Sequence, residues 1–551
     1  VRLAFGVITA VVGALLAVLG TLQLTLWAPE ENVVVTADPG EAPLVVIQPG
    51  VLNLYDTPAE LTVQGEGQIT IAQASKEHVD AWVGDTTHAS VPGLASETQL
   101  RVDQVEGEAE TAPDPAGADL WTSEVTGEGT AELRWDAEPG RTAFLVASDG
   151  ESPAAQSITV AWPNDEGTPW AIPLIVIGGL IFLASGWFFY THIRRAREAA
   201  RRRAERQQRR RRLAETGTAL MVVGTLALAG CGGEPELPVP SPEPEPTEAQ
   251  PALSPEQAER IVAAIAEDVA RADEELDAGA LDARVSGPAR AVREAAYQAR
   301  ETTEEVSLPP AVAADEIAIN HVTATDSWPR VTTVVTNSED PAQTQYLNLI
   351  QETPRDDYRL WSQTVLFGGA TVPETQDPAI GAPLLAADQP GLVQTPEEAA
   401  RNYAAALGDE EAEEAQGFEE DDFRNAVLRN SAETAEALQE GNADFSRSYE
   451  AQEGDLVATG TLDSGALVTA YLTSTTRLSP EEEDGRTGSL TLGSPISDLL
   501  GEDEVSSPVE TTTGVTVTFL VPPAGSEDRI TVLGATEVLT GAREVDDADD
   551  T

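Results

Sequence analysis

The sequence predicts a multi-domain membrane protein: an all-β, sandwich-like outer domain between two transmembrane helices, followed by an α+β tandem repeat. Three observations predict it. Two long apolar runs carry no charge, the segment between them alternates apolar and polar residues with turn residues at strand-length spacing, and one helix-start signature is written twice in the C-terminal half.

The first apolar run, residues 3–27, is 25 residues without a charge, about 37 Å as a helix and enough to cross a hydrocarbon core of ~30 Å. It predicts a transmembrane helix or an uncleaved signal anchor. The second, residues 170–193, carries Trp170, Trp187 and Tyr190 near its ends, where interfacial aromatics belong. Asp165 and Glu166 precede it and an arginine block follows, so the positive-inside bias puts residues 28–169 outside and residues 194–215 inside. The block comprises Arg194, Arg195, Arg197, Arg201, Arg202, Arg203, Arg206, Arg209, Arg210, Arg211 and Arg212, a membrane-surface segment whose expected contacts are anionic headgroups of the lipid bilayer. The chain as a whole has a net charge of -61 at pH 7. Such a surface repels nucleic acid, which is not expected as a partner.

Within residues 28–169 the runs NVVVTA, PLVVIQ, QITIAQ, TAFLVA and QSITVAW alternate between Gly, Pro, Asp and Asn. No stretch of helical period intervenes, and the pattern is that of an antiparallel sandwich or a similar β-domain. Trp82, Trp121, Trp135 and Trp162 are expected to fill its core or shield its ends.

The third apolar segment, residues 216–231, follows the arginine block and ends in Leu228, Ala229, Gly230 and Cys231. This tetrapeptide resembles the lipobox of bacterial lipoproteins, and the resemblance implies a diacylglyceryl group on the Cys231 thiol with cleavage before it. A short third transmembrane helix is the other reading of the same residues. Either sends the C-terminal region to the outer face. Cys231 is the single cysteine, which excludes an intrachain disulfide and any cysteine-based zinc cluster.

The run of alternating proline and glutamate over residues 232–253 predicts an extended, solvated stalk. Two α+β units follow, residues 254–390 and 391–545. The first opens with Ser254, Pro255, Glu256, Gln257 and the second with Thr395, Pro396, Glu397, Glu398, each a capping hydroxyl, a first-turn proline and a Glu or Gln three residues on. Ile261, Ile265, Val269, Ala272 and Leu276 form one apolar helix face. Second helices are expected over residues 281–301 and 420–440. Strand-like residues 321–336 then correspond to 456–473, with Asp326 and Ser327 matching Asp463 and Ser464 at a turn, and the run near residue 358 corresponds to the run near 529. Helices followed by a meandering sheet resemble the NTF2-like and cystatin-like folds. The layout as a whole resembles uncharacterised actinobacterial membrane proteins with a lipoprotein-like C-terminal domain, and Lys76 as the single lysine against 32 arginines fits a GC-rich genome. These resemblances imply an architecture and no activity.

The most suggestive polar cluster is Glu77, His78, Asp80, Asp85 and His88. His78, His88, Asp80 and Asp85 are weak metal candidates, because their spacing matches no compact ligand motif, and no metal site is assigned. Ser464 sits at the expected turn, so no nucleophile is assigned to it; the acidic run from Asp409 to Asp422 lacks the ligand alternation of a calcium loop. No phosphate-binding loop, dinucleotide fingerprint or HExxH motif occurs, no cofactor is expected, and no catalytic residue is assigned. The sequence therefore points to a cell-membrane protein with both large domains on the extracytoplasmic face, binding an envelope protein, a glycan or an apolar ligand. The alternatives are an extracytoplasmic enzyme with a carboxylate-based site, and a precursor processed into a two-span membrane protein and a lipoprotein. An apolar concavity in the repeats would favour binding of an apolar ligand; clustered buried acids in a cleft would favour the enzyme.

Overall fold

The computed structural model describes residues 2–28, 30–164, 168–204, 237–247, 251–325, 327–339, 342–373, 375–377, 380–483 and 486–545. Cys231 with Leu228, Ala229 and Gly230, and Arg206 and Arg209 to Arg212, lie outside the described residues.

Helices α1 (Arg2–Leu24) and α3 (Ala171–Ala204) are long and apolar enough to cross a membrane over Phe5–Leu24 and Ala171–Arg195. They pack antiparallel. Gly6 lies against Phe188, Gly13 against Gly178 and Phe182, and Gly20 against Ala171 and Ile175. Gly6, Gly13 and Gly20 recur every seven residues, as do Ala171, Gly178 and Ser185 opposite, and these small residues are buried while most of their apolar neighbours face outward. Missing side chains let the two backbones approach closely, and Thr9 and Ser185 exchange a hydroxyl hydrogen bond of 3.0 Å across the seam. Residues 194–204, expected as part of a loop, instead continue helix α3, which carries the exposed Arg194, Arg195 and Arg197 and includes Arg201, Arg202 and Arg203. Helix-favouring Ala, Arg and Glu carry it on.

The helix pair leads directly into a strand pair. β1 (Asn32–Ala37) and β8 (Ser157–Pro163) run antiparallel from Asn32 opposite Pro163 to Ala37 opposite Ile158. The other strands here are β2 (Leu44–Ile47), β3 (Ala59–Ser75), β4 (His88–Ser96), β5 (Gln99–Val105), β6 (Ser123–Trp135) and β7 (Thr142–Ala147). The expected sandwich is corrected to a barrel: the order β3, β7, β2, β4, β5, β1, β8 returns to β3, a closed ring of seven strands with β6 paired alongside β3. Closure depends on two parallel pairings, β1 with β5 and β2 with β4. The long β3 makes it possible, pairing with β8 through residues 60–64 and with β7 through residues 70–75. Val45, Ile47, Leu61, Ile71, Val91, Phe144, Val160 and Trp162 fill the interior. The sequence also indicated no helix here, but α2 (Lys76–Val83) follows β3, capped by the Ser75 hydroxyl, and lies over the outer wall.

Over residues 237–247 the proline run lies against the barrel. A side chain on Gly50 would meet Pro240 and Pro242, one on Gly93 would meet Pro240, and the Glu243 amide donates to the Gly140 carbonyl at 3.4 Å.

The first C-terminal unit has α4 (Pro255–Glu275), α5 (Gly287–Thr302) and the antiparallel meander β9 (Glu316–Val322), β10 (Arg330–Glu339), β11 (Ala342–Gln351) and β12 (Arg359–Val365). Helix α5 starts later than the expected residue 281, because the Gly287–Pro288 pair sets its first turn. The second unit repeats the order with α6 (Pro396–Gly408), α7 (Asp422–Glu440), β13 (Ala443–Gly460), β14 (Ala466–Pro480), β15 (Val509–Val521) and β16 (Thr531–Glu544). Both capping boxes form. Ile261, Ile265, Val269 and Ala272 of α4 pack on Val322, Val334, Leu347 and Leu360, while Leu276 ends the helix with φ of 53°. In the second unit Tyr403 of α6 packs against Phe418 and Phe519, ring centroids 5.2 Å apart in each case. The opposite sheet faces meet through Leu467, Leu533, Val335 and Tyr346, and through a hydroxyl chain from Thr469 to Thr518 to Thr364 at 3.1 Å per step.

Candidate functional site at the seam between barrel and first unit

The most heavily built polar arrangement among the described residues joins the barrel to the first C-terminal unit. Its platform is the outer face of β2, β3 and β7, where Leu44, Val46, Ala72, Ala74, Leu145 and Ala147 are covered by Val79, Trp82 and Val83 of α2 and by Leu120 and Trp121. Trp82 and Trp121 are each 1 % exposed, with centroids 5.5 Å apart. Trp328, from the turn before β10, packs partly buried against the same cluster.

Around this apolar centre the first unit grips the barrel half through four arginines and a glutamine. Gln257, third residue of the α4 capping box, donates its Nε2 to the carbonyls of Asp119, Leu120 and Trp121 at 3.1–3.3 Å, while its Oε1 accepts from the Ser254 amide. Arg260, one turn on, donates to the Asp119 and Trp121 carbonyls. Arg355 donates to the carbonyls of Trp82 and Val83 and to the Thr86 hydroxyl at 2.7–2.9 Å. It thus donates to the last carbonyls of α2, where the helix dipole favours a cation, and stands 5.2 Å over the Trp82 ring.

Asp119 is the electrostatic centre. It is 2 % exposed, its carboxylate accepts from Arg284 Nη1 and, at 2.9 Å, from the Tyr358 amide, and its own amide donates to the Asp357 carboxylate. Burial works against the Arg284 charge, but the Asp119 charge and hydrogen bond, with the Asp357 and Asp268 charges, together more than offset it and hold the guanidinium pKa above its ordinary value. Burial, then the neighbouring Asp119 charge, pushes the Asp357 carboxyl up.

Arg330, 2 % exposed, lies 3.8 Å from the Trp328 ring centroid and 2.8 Å by Nη1 from His78 Nε2. A guanidinium only donates, so Nε2 is the unprotonated nitrogen and His78 is neutral here. Burial, reinforced by the Arg330 charge, depresses the His78 pKa to about 3; burial alone depresses that of His321 on β9 to about 4. Both folded values lie below the ordinary 6.5, so their stabilisation is complete above pH 6.5 and is lost as pH falls below it. Each histidine is expected to cost about 1.4 kcal/mol per pH unit in that range. Urea titrations between pH 7 and 5 should show the decline, and His78→Gln, which keeps an acceptor for Arg330, should flatten it by about one proton.

The other residues singled out by the sequence are not gathered into a ligand set. Asp80 pairs with Lys76 along α2, Asp85 is exposed, and His88 Nδ1 lies 2.9 Å from the Thr86 carbonyl oxygen. Among the described residues no group of three His, Cys, Asp or Glu side chains is placed to hold a metal ion. Ser464 occupies a turn with φ of 66°, where Asp463 accepts from the Thr461 hydroxyl. Among the described residues the buried carboxylates are Asp119 and Asp421. Asp119 is paired as above; Asp421 caps α7 and accepts from the Tyr403 hydroxyl at 3.0 Å. Neither pairs with the other in a cleft. The helix-facing sides of both C-terminal sheets are filled by α4 and α6.

Sequence reasoning missed Asp119, Gln257, Arg260, Arg284, Arg330 and Arg355. The visible signal was economy of charge: four of the nine arginines between residues 251 and 390 serve this seam. Comparison with known proteins gives no match to a protein family, to a curated protein or to a solved structure.

Proposed function

We propose that the chain is a membrane-anchored, extracytoplasmic scaffold or binding protein of the cell envelope, whose barrel and C-terminal units act as one outer body toward an envelope protein or glycan. The seam carries this reading. The barrel is attached where α1 ends and α3 begins, at the end of the helix pair away from Arg194, Arg195 and Arg197. If the pair spans a bilayer with its arginines inside, the barrel is outside, and residues docked on it share that face. The chain between residues 204 and 237 then has to cross back, which either a lipoprotein signal ending at Cys231 or a third span would accomplish. The packed helix-side cores of both units favour recognition on the surface over an enclosed apolar ligand, and the separation of Asp119 and Asp421, each held in a different unit by its own hydrogen bonds, favours binding over a site of clustered carboxylates.

The anchor is tested with tags at both ends, metabolic lipid labelling and a blot of the membrane fraction, comparing the native chain with Cys231→Ala. Lipid on the C-terminal product, lost in the variant, is the expected result. A single unlabelled band of the full 58.1 kDa in both would overturn the lipobox and leave the third span.

A further inference from the structure

We infer that the seam is a protein–protein interface in its own right: residues 251–545 hold residues 30–164 without the covalent link, so a chain severed between residues 204 and 237 persists as a complex of a two-helix barrel subunit and a C-terminal subunit. Three observations carry this.

First, each half is complete. Every sheet is built from strands of one half only, and the barrel interior and the two C-terminal cores are separate clusters. Among the described residues no strand is lent across the seam.

Second, the seam has the composition of an association hot spot, with Trp82, Trp121 and Trp328 at its centre and Arg260, Arg330 and Arg355 around them. A desolvated ion pair between Asp119 and Arg284 fixes the register; their side chains are 3 % and 12 % exposed.

Third, the donors are aimed at main-chain carbonyls at the α2 C-terminus and along residues 119–121. Those acceptors are presented by the fold of the barrel half itself and need no tether to hold them in place. The partner that fits this surface is therefore the C-terminal half of the same gene product, on the same or a separate polypeptide. The inference requires neither that cells cut the chain nor that the membrane topology above holds.

The test uses the full chain in detergent with a site-specific protease sequence inserted after Gly233, a purification tag at the N-terminus and an epitope at the C-terminus. After cutting and dilution to about 1 µM, retention of the C-terminal fragment on the N-terminal tag is expected. Arg260→Ala combined with Arg355→Ala removes contacts to the barrel while leaving each core intact, and should release the fragment about 100-fold faster, with the circular dichroism of the uncut protein unchanged. If that double variant loses its uncut thermal transition, His78→Arg replaces it, setting a second guanidinium against Arg330, and fast release is again expected. Separation of the cut native halves at that dilution would overturn the inference, as would a folded variant that retains the fragment as firmly as the native chain.

Discussion

Asp119→Ala is expected to cost about 3–5 kcal/mol, the range for removing one partner of a buried pair. The loss would far exceed that of an exposed ion pair because both charges have left water: the Asp119 side chain is 3 % exposed and that of Arg284 12 %. Alanine leaves the Arg284 charge with only the more exposed Asp357 carboxylate, 3.7 Å away, and deprives the Tyr358 amide of its acceptor. Asp119→Asn, which can still accept from that amide, should cost less, about 1–3 kcal/mol. Urea unfolding of the purified chain checks both. A loss under about 1 kcal/mol for the alanine variant would mean that the pair behaves as a solvated one.

Gly13→Leu is expected to separate α1 from α3. A Cβ at this position would stand 2.8 Å from the Gly178 carbonyl oxygen and 2.8 Å from the Phe182 nitrogen, both main-chain atoms that cannot rotate away. Overpacking a rigid interior costs about 1–3 kcal/mol even when it relaxes, and here relaxation means withdrawing one helix. The Thr9 and Ser185 hydroxyls, 3.0 Å apart, supply the readout. In a Cys231→Ala background, Thr9→Cys with Ser185→Cys should cross-link on oxidation, and adding Gly13→Leu should abolish the cross-link. Val12→Leu, on the outward face beside it, should leave the cross-link intact.

The parts of the fold legible in sequence are those decided locally. Both capping boxes form at Ser254 and Thr395 because hydroxyl, proline and third-position side chain lie within one turn. The two apolar helices follow from composition over a length the bilayer sets. Barrel closure was not legible, because alternation reports which face of a strand is buried and not which strand lies beside it; the parallel partners Val45 and Ala89 are far apart in the chain. Helix α2 escaped because eight residues offer barely two turns of periodicity, although Ser75 as its cap and the trio Val79, Trp82 and Val83 were visible.

The candidate site was less legible still. His78 was noticed as a possible ligand and proves to be a neutral acceptor for Arg330. The arginines that make the seam are scattered from 260 to 355, and most of their acceptors are carbonyls, which leave no residue-specific trace. The glycine heptad of Gly6, Gly13 and Gly20 was in plain view, its meaning supplied by the matching spacing of Ala171, Gly178 and Ser185.

Barrel and C-terminal units are proposed to occupy one face of the membrane as one body. Single cysteines at exposed positions test it most directly in a Cys231→Ala background: Glu128→Cys on the barrel, Glu527→Cys on the second unit and Arg197→Cys at the far end of α3. With a membrane-impermeant maleimide applied to intact spheroplasts, labelling is expected at 128 and 527 alike, and at 197 only after lysis. Labelling at 128 with protection at 527 would put the two bodies on opposite faces and contradict it.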